Sequence, residues 1–325
     1  MTGYEIDVVE GEIDVPGGKV WYRRMGRGGA PLLLVHGGPG YPSDPLFEAF
    51  EPLTEEREVI WYDQLGVGRS DPIHDTSLLT VDRFLDELDA VVEGLGLRRP
   101  HVYGHSWGAM LGLQHAAERA PEWTSLVCAN GLASVPRFEE EARDLMAKLP
   151  GNVLDRTYGR ELRGETGDPD YQVAQGEYLR ACVVRTAPVN LDSDRTSLLT
   201  FRTMIGQADY HVTGTLKDWD IFDDLHRIRV PTLVLGGEFD ECVPAHLADI
   251  AGRIPDSEHV TQSGAAHMGY LEAEPLRREY ISTIRDYLAR IERRAQPNQS
   301  PRAAARAGST CEPHTIIRIP ERDHA

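Results

Sequence analysis

The sequence has little that would tie it to metals, membranes or nucleic acid. Its four cysteines, Cys128, Cys182, Cys242 and Cys311, lie far apart. There is no CxxC pair and no His/Cys spacing of a metal site, so neither a zinc centre nor a disulfide framework is expected. Basic residues are scarce: 34 lysines and arginines stand against 52 aspartates and glutamates, a net charge of -18. Phosphate backbones and anionic lipids repel such a surface, so no nucleic acid and no membrane is expected as a partner. No apolar run approaches the roughly 20 residues of a membrane span. The acidic start, MTGYEIDVVEGEID, lacks a signal-peptide apolar core. The expected setting is therefore the reducing cytoplasm. There is no internal repeat. A phosphate-cradling role for the glycines Gly66 and Gly68 fails, since no Lys or helix start follows them.

What is present points to an α/β architecture. A chain of 325 residues with 41% hydrophobic content suits one large α/β domain with an insertion, or two domains. KVWYRRM, PLLLVHGGPG and EVIWYDQLGVGRSD read as strands, the last two running into glycine-rich turns. In TVDRFLDELDAVVEGLG, the residues Val81, Phe84, Leu85, Leu88, Val91, Val92 and Leu95 keep helical spacing. Thr80 can cap that helix at its start and Gly96 at its end. HVYGHS reads as a strand, Trp107 to Ala120 as a helix and SLVCAN as a strand. This alternation predicts a parallel sheet covered on both faces. From about Ala133 to Lys217 the rhythm breaks, in a region rich in Arg, Glu and Tyr with helical patches and no clear strand. It resumes with the strand and turn PTLVLGGEFD, a helix from Pro244 to Ile254, the strand EHVTQSG and an amphipathic helix from Pro275 to Arg293. The expected division is a core of residues 1–132 and 218–295, a helical cap over 133–217 and a disordered tail over 296–325, where apolar content falls.

The stretch HVYGHSWGAMLGLQHA sets Ser106 between Gly104 and Gly108, at the junction of a predicted strand and a predicted helix. G-x-S-x-G alone is a weak pattern, but this setting is the one a nucleophile elbow requires. The turn is so tight that neighbouring side chains must be absent. Its strained backbone lifts the hydroxyl above the sheet edge, and the N–H groups of the following helix point at the reaction centre. A serine hydroxyl needs a base, and the base an orienting acid. In this arrangement they follow in the order serine, acid, histidine, each on a loop after a strand. Five histidines follow residue 240. His246 falls on a helix, His259 on a strand, and His314 and His324 in the tail. His267, in SGAAHMGYLE, falls on the loop after the last strand. By the same logic the acid is Asp240, in the loop after TLVLGG; Asp218, Asp220, Asp223 and Asp224 precede that strand, and Asp249 lies on a helix. The expected catalytic residues are thus Ser106, Asp240 and His267. Oxyanion donors are expected from the backbone of Trp107 and from the HGGPG loop, at Gly38 with Gly37 as the alternative. His36 and His105 read as hydrogen-bonded structural residues. Asp63, Gln64, Arg69 and Ser70 read as a network bracing the oxyanion loop.

HGGPG, YDQLGVGRSD, GHSWGAMLG, VTGTLKDWD, GEFDECVP and AAHMGYLEAEP together resemble the proline iminopeptidase family, serine aminopeptidases of the α/β-hydrolase fold, from about residue 15 to residue 290. The resemblance implies an eight-stranded, mostly parallel sheet with a helical cap inserted after strand six. It implies removal of an N-terminal residue, often proline, from peptides, amides or arylamides, with no cofactor and no metal. It also implies two carboxylates for the substrate's α-amine. One is Glu241, directly after the expected acid. The other is Asp209, in GQADYHVTGT, where the family usually has Glu and this chain has the shorter Asp. The expected partner is a small peptide or aminoacyl amide with a free α-amine.

A buried ammonium must be paired. Anchoring it fixes the reach to Ser106, so that only the first residue fits. Trp107, Phe201, Tyr210 and Trp219 are candidates to wall its pocket. Other readings keep the fold: removal of an aminoacyl group from a small metabolite or biosynthetic intermediate, a plain carboxylesterase or lactonase, and a non-enzymatic scaffold. Hydrolases of this fold that use an aspartate nucleophile are excluded by the serine at position 106.

Overall fold

The most apolar runs of the sequence form the middle of one sheet. The computed structural model describes residues 8–188 and 193–295. Its strands are β1 (Val8–Val15), β2 (Gly18–Met25), β3 (Leu32–Val35), β4 (Val59–Tyr62), β5 (His101–His105), β6 (Ser125–Ala129), β7 (Thr232–Gly237) and β8 (Ser257–Gln262). They run in the order β1-β2-β4-β3-β5-β6-β7-β8. β3 to β8 pair in parallel, whereas β1 with β2 and β2 with β4 are antiparallel. β3 to β7 are buried at every position, as strands covered on both faces must be.

β1 is the strand that apolar patterning missed. Of its eight residues, VVEGEIDV, only Ile13 is buried. It is held by backbone pairing along the whole of β2, from Val8 opposite Met25 to Val15 opposite Gly18. An edge strand with one buried side chain carries little hydrophobic signal.

The helices are α1 (Pro45–Phe50), α2 (Val81–Gly94), α3 (Trp107–Glu118), α4 (Val135–Lys148), α5 (Arg160–Arg163), α6 (Pro169–Cys182), α7 (Leu198–Met204), α8 (Pro244–Arg253) and α9 (Leu276–Ala295). Thr80 does cap α2, its hydroxyl accepting from the Arg83 N–H at 3.3 Å. Strand side chains alternate between two cores. Leu33, Val35, Val102, Leu126, Cys128 and Val234 face the layer that includes α2, α3 and α8. Leu32, Leu34, Tyr103, Val127, Leu233 and Leu235 face α1 and α9.

Between β6 and β7 the chain leaves the sheet for a segment that carries α4 to α7. Its described residues form no named strand, only the isolated bridges Ser134–Asp220 and Ala208–His211. His246 of α8 anchors this segment: its Nε2 accepts from the Ala133 N–H at 3.2 Å and its Nδ1 meets Glu141 at 2.7 Å. The tail over 296–325, with Cys311, His314 and His324, lies outside the described residues. Among the described residues no helix is long and apolar enough to cross a membrane.

Candidate active site

Ser106 directly follows β5 and takes the N-cap position of α3 with φ 53° and ψ -117°. That is a strained conformation for a residue with a side chain, and it persists only where surrounding packing imposes it. The packing is visible at the flanking glycines. A Cβ on Gly104 would collide with the carbonyl of Gly108, and one on Gly108 with the carbonyl oxygens of Val35 and His36. The start of α3 therefore lies directly on the backbones of β3 and β5. Helix geometry leaves the first N–H groups of α3, that of Trp107 included, without intrahelical acceptors. Gly108→Ala should lose about 3 kcal/mol of stability through this overpacking. Thermal unfolding reads it as a clear drop in Tm; an unchanged Tm would mean that the helix start is not so tightly seated.

Asp240 lies in the turn after β7 and is buried. Its Oδ1 accepts from His267 Nδ1 at 2.8 Å and from the Cys242 N–H at 2.9 Å. Its Oδ2 accepts from Asn130 Nδ2 at 2.6 Å. His267 follows β8 on a loop tied to the end of α6: its own N–H donates to the Cys182 carbonyl at 3.1 Å, and the Met268 N–H to that of Val183 at 2.9 Å. His105 Nε2 donates to the His267 carbonyl at 3.0 Å. Burial, together with the neighbouring His267, lowers His105 to about 3, so it stays neutral. With Nδ1 of His267 committed to Asp240, the other ring nitrogen, Nε2, lies 3.5 Å from Glu241 Oε1.

The HGGPG loop is fastened from below. His36 Nε2 accepts from the Gln64 N–H at 2.9 Å, and Gln64 Nε2 donates to the His36 carbonyl at 3.1 Å. The Trp107 indole donates to Gln64 Oε1 at 2.9 Å, joining the loop to α3. Asp63 is fully buried and accepts from Ser43 through Oδ1, at 2.8 and 2.7 Å, and from Arg69 through Oδ2, at 2.9 and 3.1 Å. Gly38 adopts φ 123°, and a Cβ on Gly37 would stand 3.2 Å from that of Ser106. The loop thus passes directly over the serine.

Ser106, Trp107, Gly37, Gly38, His267, Glu241 and Asp209 all line one cavity of about 640 Å³. The structure brings every expected site residue to it except Asp240, which lies behind His267. Phe201 and Tyr210 also line it; Trp219 does not, and its indole donates to Gln114 at 2.7 Å instead. Much of the remaining wall is apolar, including Met110, Leu132, Val135, Phe138, Ile205 and Val212.

Glu241 is buried, and its Oε2 accepts from the Tyr178 hydroxyl at 2.9 Å. Among the described residues, no Lys or Arg forms an ion pair with Asp209, Asp240 or Glu241. Burial, reinforced by the charge of Asp209, holds the Glu241 carboxyl well above the ordinary carboxylate range. Burial also raises Asp209. For His267 burial works downward, but Glu241 and Asp240 outweigh it and raise the imidazole. Asn130 and Tyr178 were not found from the sequence. Neither sits in a recognisable motif, and each is identified only by what it touches.

The only cluster of possible metal ligands among the described residues is Asp240, Cys242 and His267, with donor atoms within 4.8 Å of one another. Asp240 and His267 already satisfy each other, and burial keeps the Cys242 thiol protonated. The donor set therefore fits hydrogen bonding better than metal coordination.

A family model described as the alpha/beta hydrolase fold matches residues 30–274. A proline iminopeptidase of Heyndrickxia coagulans is 32% identical over 289 residues, which cover 87% of this chain and 99% of that protein. One from Saccharolobus solfataricus is 30% identical over 300 residues, 90% of this chain and 96% of its own. Among solved structures, a proline iminopeptidase of Mycobacterium smegmatis gives a TM-score of 0.81 at 31% identity, covering 89% of this chain and all of the other (100%). The structure of VinJ gives 0.80 at 34% identity, with 87% and 99% covered.

Proposed function

The chain belongs to the proline iminopeptidase family of the α/β-hydrolase fold, enzymes of the aminopeptidase and amide hydrolase kind, and on that premise we propose that it releases an N-terminal amino acid, proline or a small apolar residue, from a peptide, amide or arylamide. The observation that carries this reading is the pair of acids, Glu241 and Asp209, lining the same cavity as Ser106 and His267 with no Lys or Arg paired to either among the described residues. Acids buried in this way call for a cation, and a substrate's α-ammonium supplies one.

In the proposed reaction His267 Nε2 takes the Ser106 proton as the serine oxygen attacks the carbonyl of the first residue. Asp240 holds the imidazole by its Nδ1 and stabilises the imidazolium. The N–H groups of Gly38 and Trp107 receive the oxyanion. His267 then passes the proton to the leaving amine, and water, activated by the same imidazole, hydrolyses the acyl-enzyme. Residues 133–217 act as the cap. They bring Asp209 and Tyr178 to the amine end and close the cavity beyond the first residue, which restricts cleavage to chain ends.

A second reading is favoured by the size of the cavity. About 640 Å³ is ample for a drug-sized molecule, and the apolar wall suits a bulky leaving group. In this reading the enzyme strips an aminoacyl group from a larger apolar amine. A panel of prolyl, alanyl and leucyl arylamides, run beside the same residues amide-linked to a long alkylamine, separates the two. N-acetylation of each substrate should abolish hydrolysis in either case. Undiminished hydrolysis of the N-acetyl compounds would overturn both and leave an esterase-like enzyme.

A further inference from the structure

Glu241 Oε1 lies 3.5 Å from Nε2 of His267, the atom that must receive the serine proton. The Tyr178 hydroxyl occupies the other carboxylate oxygen at 2.9 Å, which leaves Oε1 turned to the imidazole. We propose that Glu241 and His267 share one proton in the empty site, engaging the Nε2 lone pair, and that the substrate's α-ammonium expels this proton by taking Glu241 as its own partner, so that the amine switches the base on. This rests on the reading of Glu241 as an amine-binding residue.

The argument is one of buried charge. Three carboxylates surround one imidazole. Asp240 bonds its Nδ1, Glu241 stands at its Nε2, and Asp209 lines the same cavity from the segment between β6 and β7. Among the described residues none of them forms an ion pair with Lys or Arg. The titratable groups in direct contact with the imidazole and with Glu241 add no positive charge. His105, packed against the imidazole with ring centroids 4.9 Å apart, is kept neutral by burial. Burial keeps the thiols of Cys242 and Cys182 and the Tyr178 phenol protonated. The nearby cation, Arg185, three residues past α6, is turned to other partners: it lies over the Phe239 ring at 3.7 Å, donates to the Ala181 carbonyl and forms no ion pair with the three acids. A buried group of this sign retains a proton where it can. With the proton on Nε2 the base is blocked outright; with it on Glu241, the carboxyl stands 3.5 Å from Nε2, at the outer limit of a hydrogen bond, and a small approach of the two side chains engages the lone pair.

An entering ammonium brings the positive charge that the proton had supplied. One ammonium is bound and one proton leaves to solvent, so the charge of the site is unchanged. Nε2 is then free to act on Ser106. A neutral ester brings no such charge and meets an engaged base at neutral pH. The enzyme would discriminate against substrates lacking the amine in the rate of the chemical step as well as in binding.

The test uses the intact enzyme, p-nitrophenyl acetate as the neutral ester and ethylammonium chloride as the amine, against sodium chloride at equal ionic strength. Binding of ethylammonium is established by its competition with a prolyl arylamide. At pH 6.5, saturating ethylammonium should raise ester hydrolysis on the order of 10-fold, with the effect fading as pH rises and the pair loses its proton unaided. Calorimetry in two buffers of different ionisation heat should register release of up to one proton per ethylammonium bound. In Glu241→Gln the ester rate at pH 6.5 should be higher than in the parent enzyme and unresponsive to the amine, with its acid limb moved to lower pH. Binding of ethylammonium without proton release or acceleration would overturn the proposal, as would an acid limb that does not move in Glu241→Gln. If the arylamide still depends on Glu241 in that event, the amine-binding reading survives and only the switch is lost. If the arylamide does not depend on Glu241, both fall.

Discussion

Ser106→Ala should lower kcat for a prolyl or alanyl arylamide by about 10⁴- to 10⁶-fold while leaving KM near that of the parent enzyme. The loss is large because the proposed reaction has one nucleophile. With the hydroxyl gone, the oxyanion donors and the amine site still bind and orient the substrate, but only water can attack. The split between kcat and KM follows, since the serine oxygen forms its bond after binding. The variant should fold. Alanine at φ 53° is strained in the same way as serine, and the Gly104 and Gly108 contacts that impose the turn are untouched. Steady-state kinetics on purified protein, with thermal unfolding as a control, decides the matter. Turnover within tenfold of the parent in a folded variant would end the acyl-enzyme reading. A fluorophosphonate probe provides an independent check, because it should label the parent and not the variant.

Glu241→Gln should cost about 2–4 kcal/mol in kcat/KM for substrates with a free amine, which is about 30- to 900-fold. The substitution keeps the shape of the side chain, and its amide oxygen can still accept from Tyr178, so the loss reports charge. The substrate's ammonium would retain only Asp209, a group that burial already pushes toward its neutral form. A neutral ester makes no use of the charge and should not lose rate. Comparing an alanyl arylamide with a simple acyl ester isolates the effect, because both depend on Ser106 and His267. Equal losses on the two would remove Glu241 from amine recognition and assign it to holding the imidazole instead.

The elements and the candidate residues were legible to different degrees. The buried parallel strands announce themselves as apolar runs, and α2 by its periodicity and its Thr80 cap. β1 does not, because its pairing is made by backbone atoms that every residue shares. Ser106 is legible because sterics at the elbow demand Gly104 and Gly108 within two residues. His267 and Asp240 follow from chain order, given a parallel sheet whose loops emerge at one edge. Asn130 and Tyr178 could not be read in this way. Each meets the site across more than 60 positions of sequence (Asn130 reaching Asp240, Tyr178 reaching Glu241), and nothing local marks either of them.

The sequence alone determined the α/β class and the candidate site residues, because both are written in short-range rules: alternation, helical spacing, and the space around a tight turn. Only the tertiary structure decided the electrostatics. The order of strands and the return of the segment between β6 and β7 bring three acids around one imidazole, set Glu241 against its Nε2 and leave a cavity of about 640 Å³. Coulomb interactions and cavity volume depend on distances through space, and those exist only once the chain has folded.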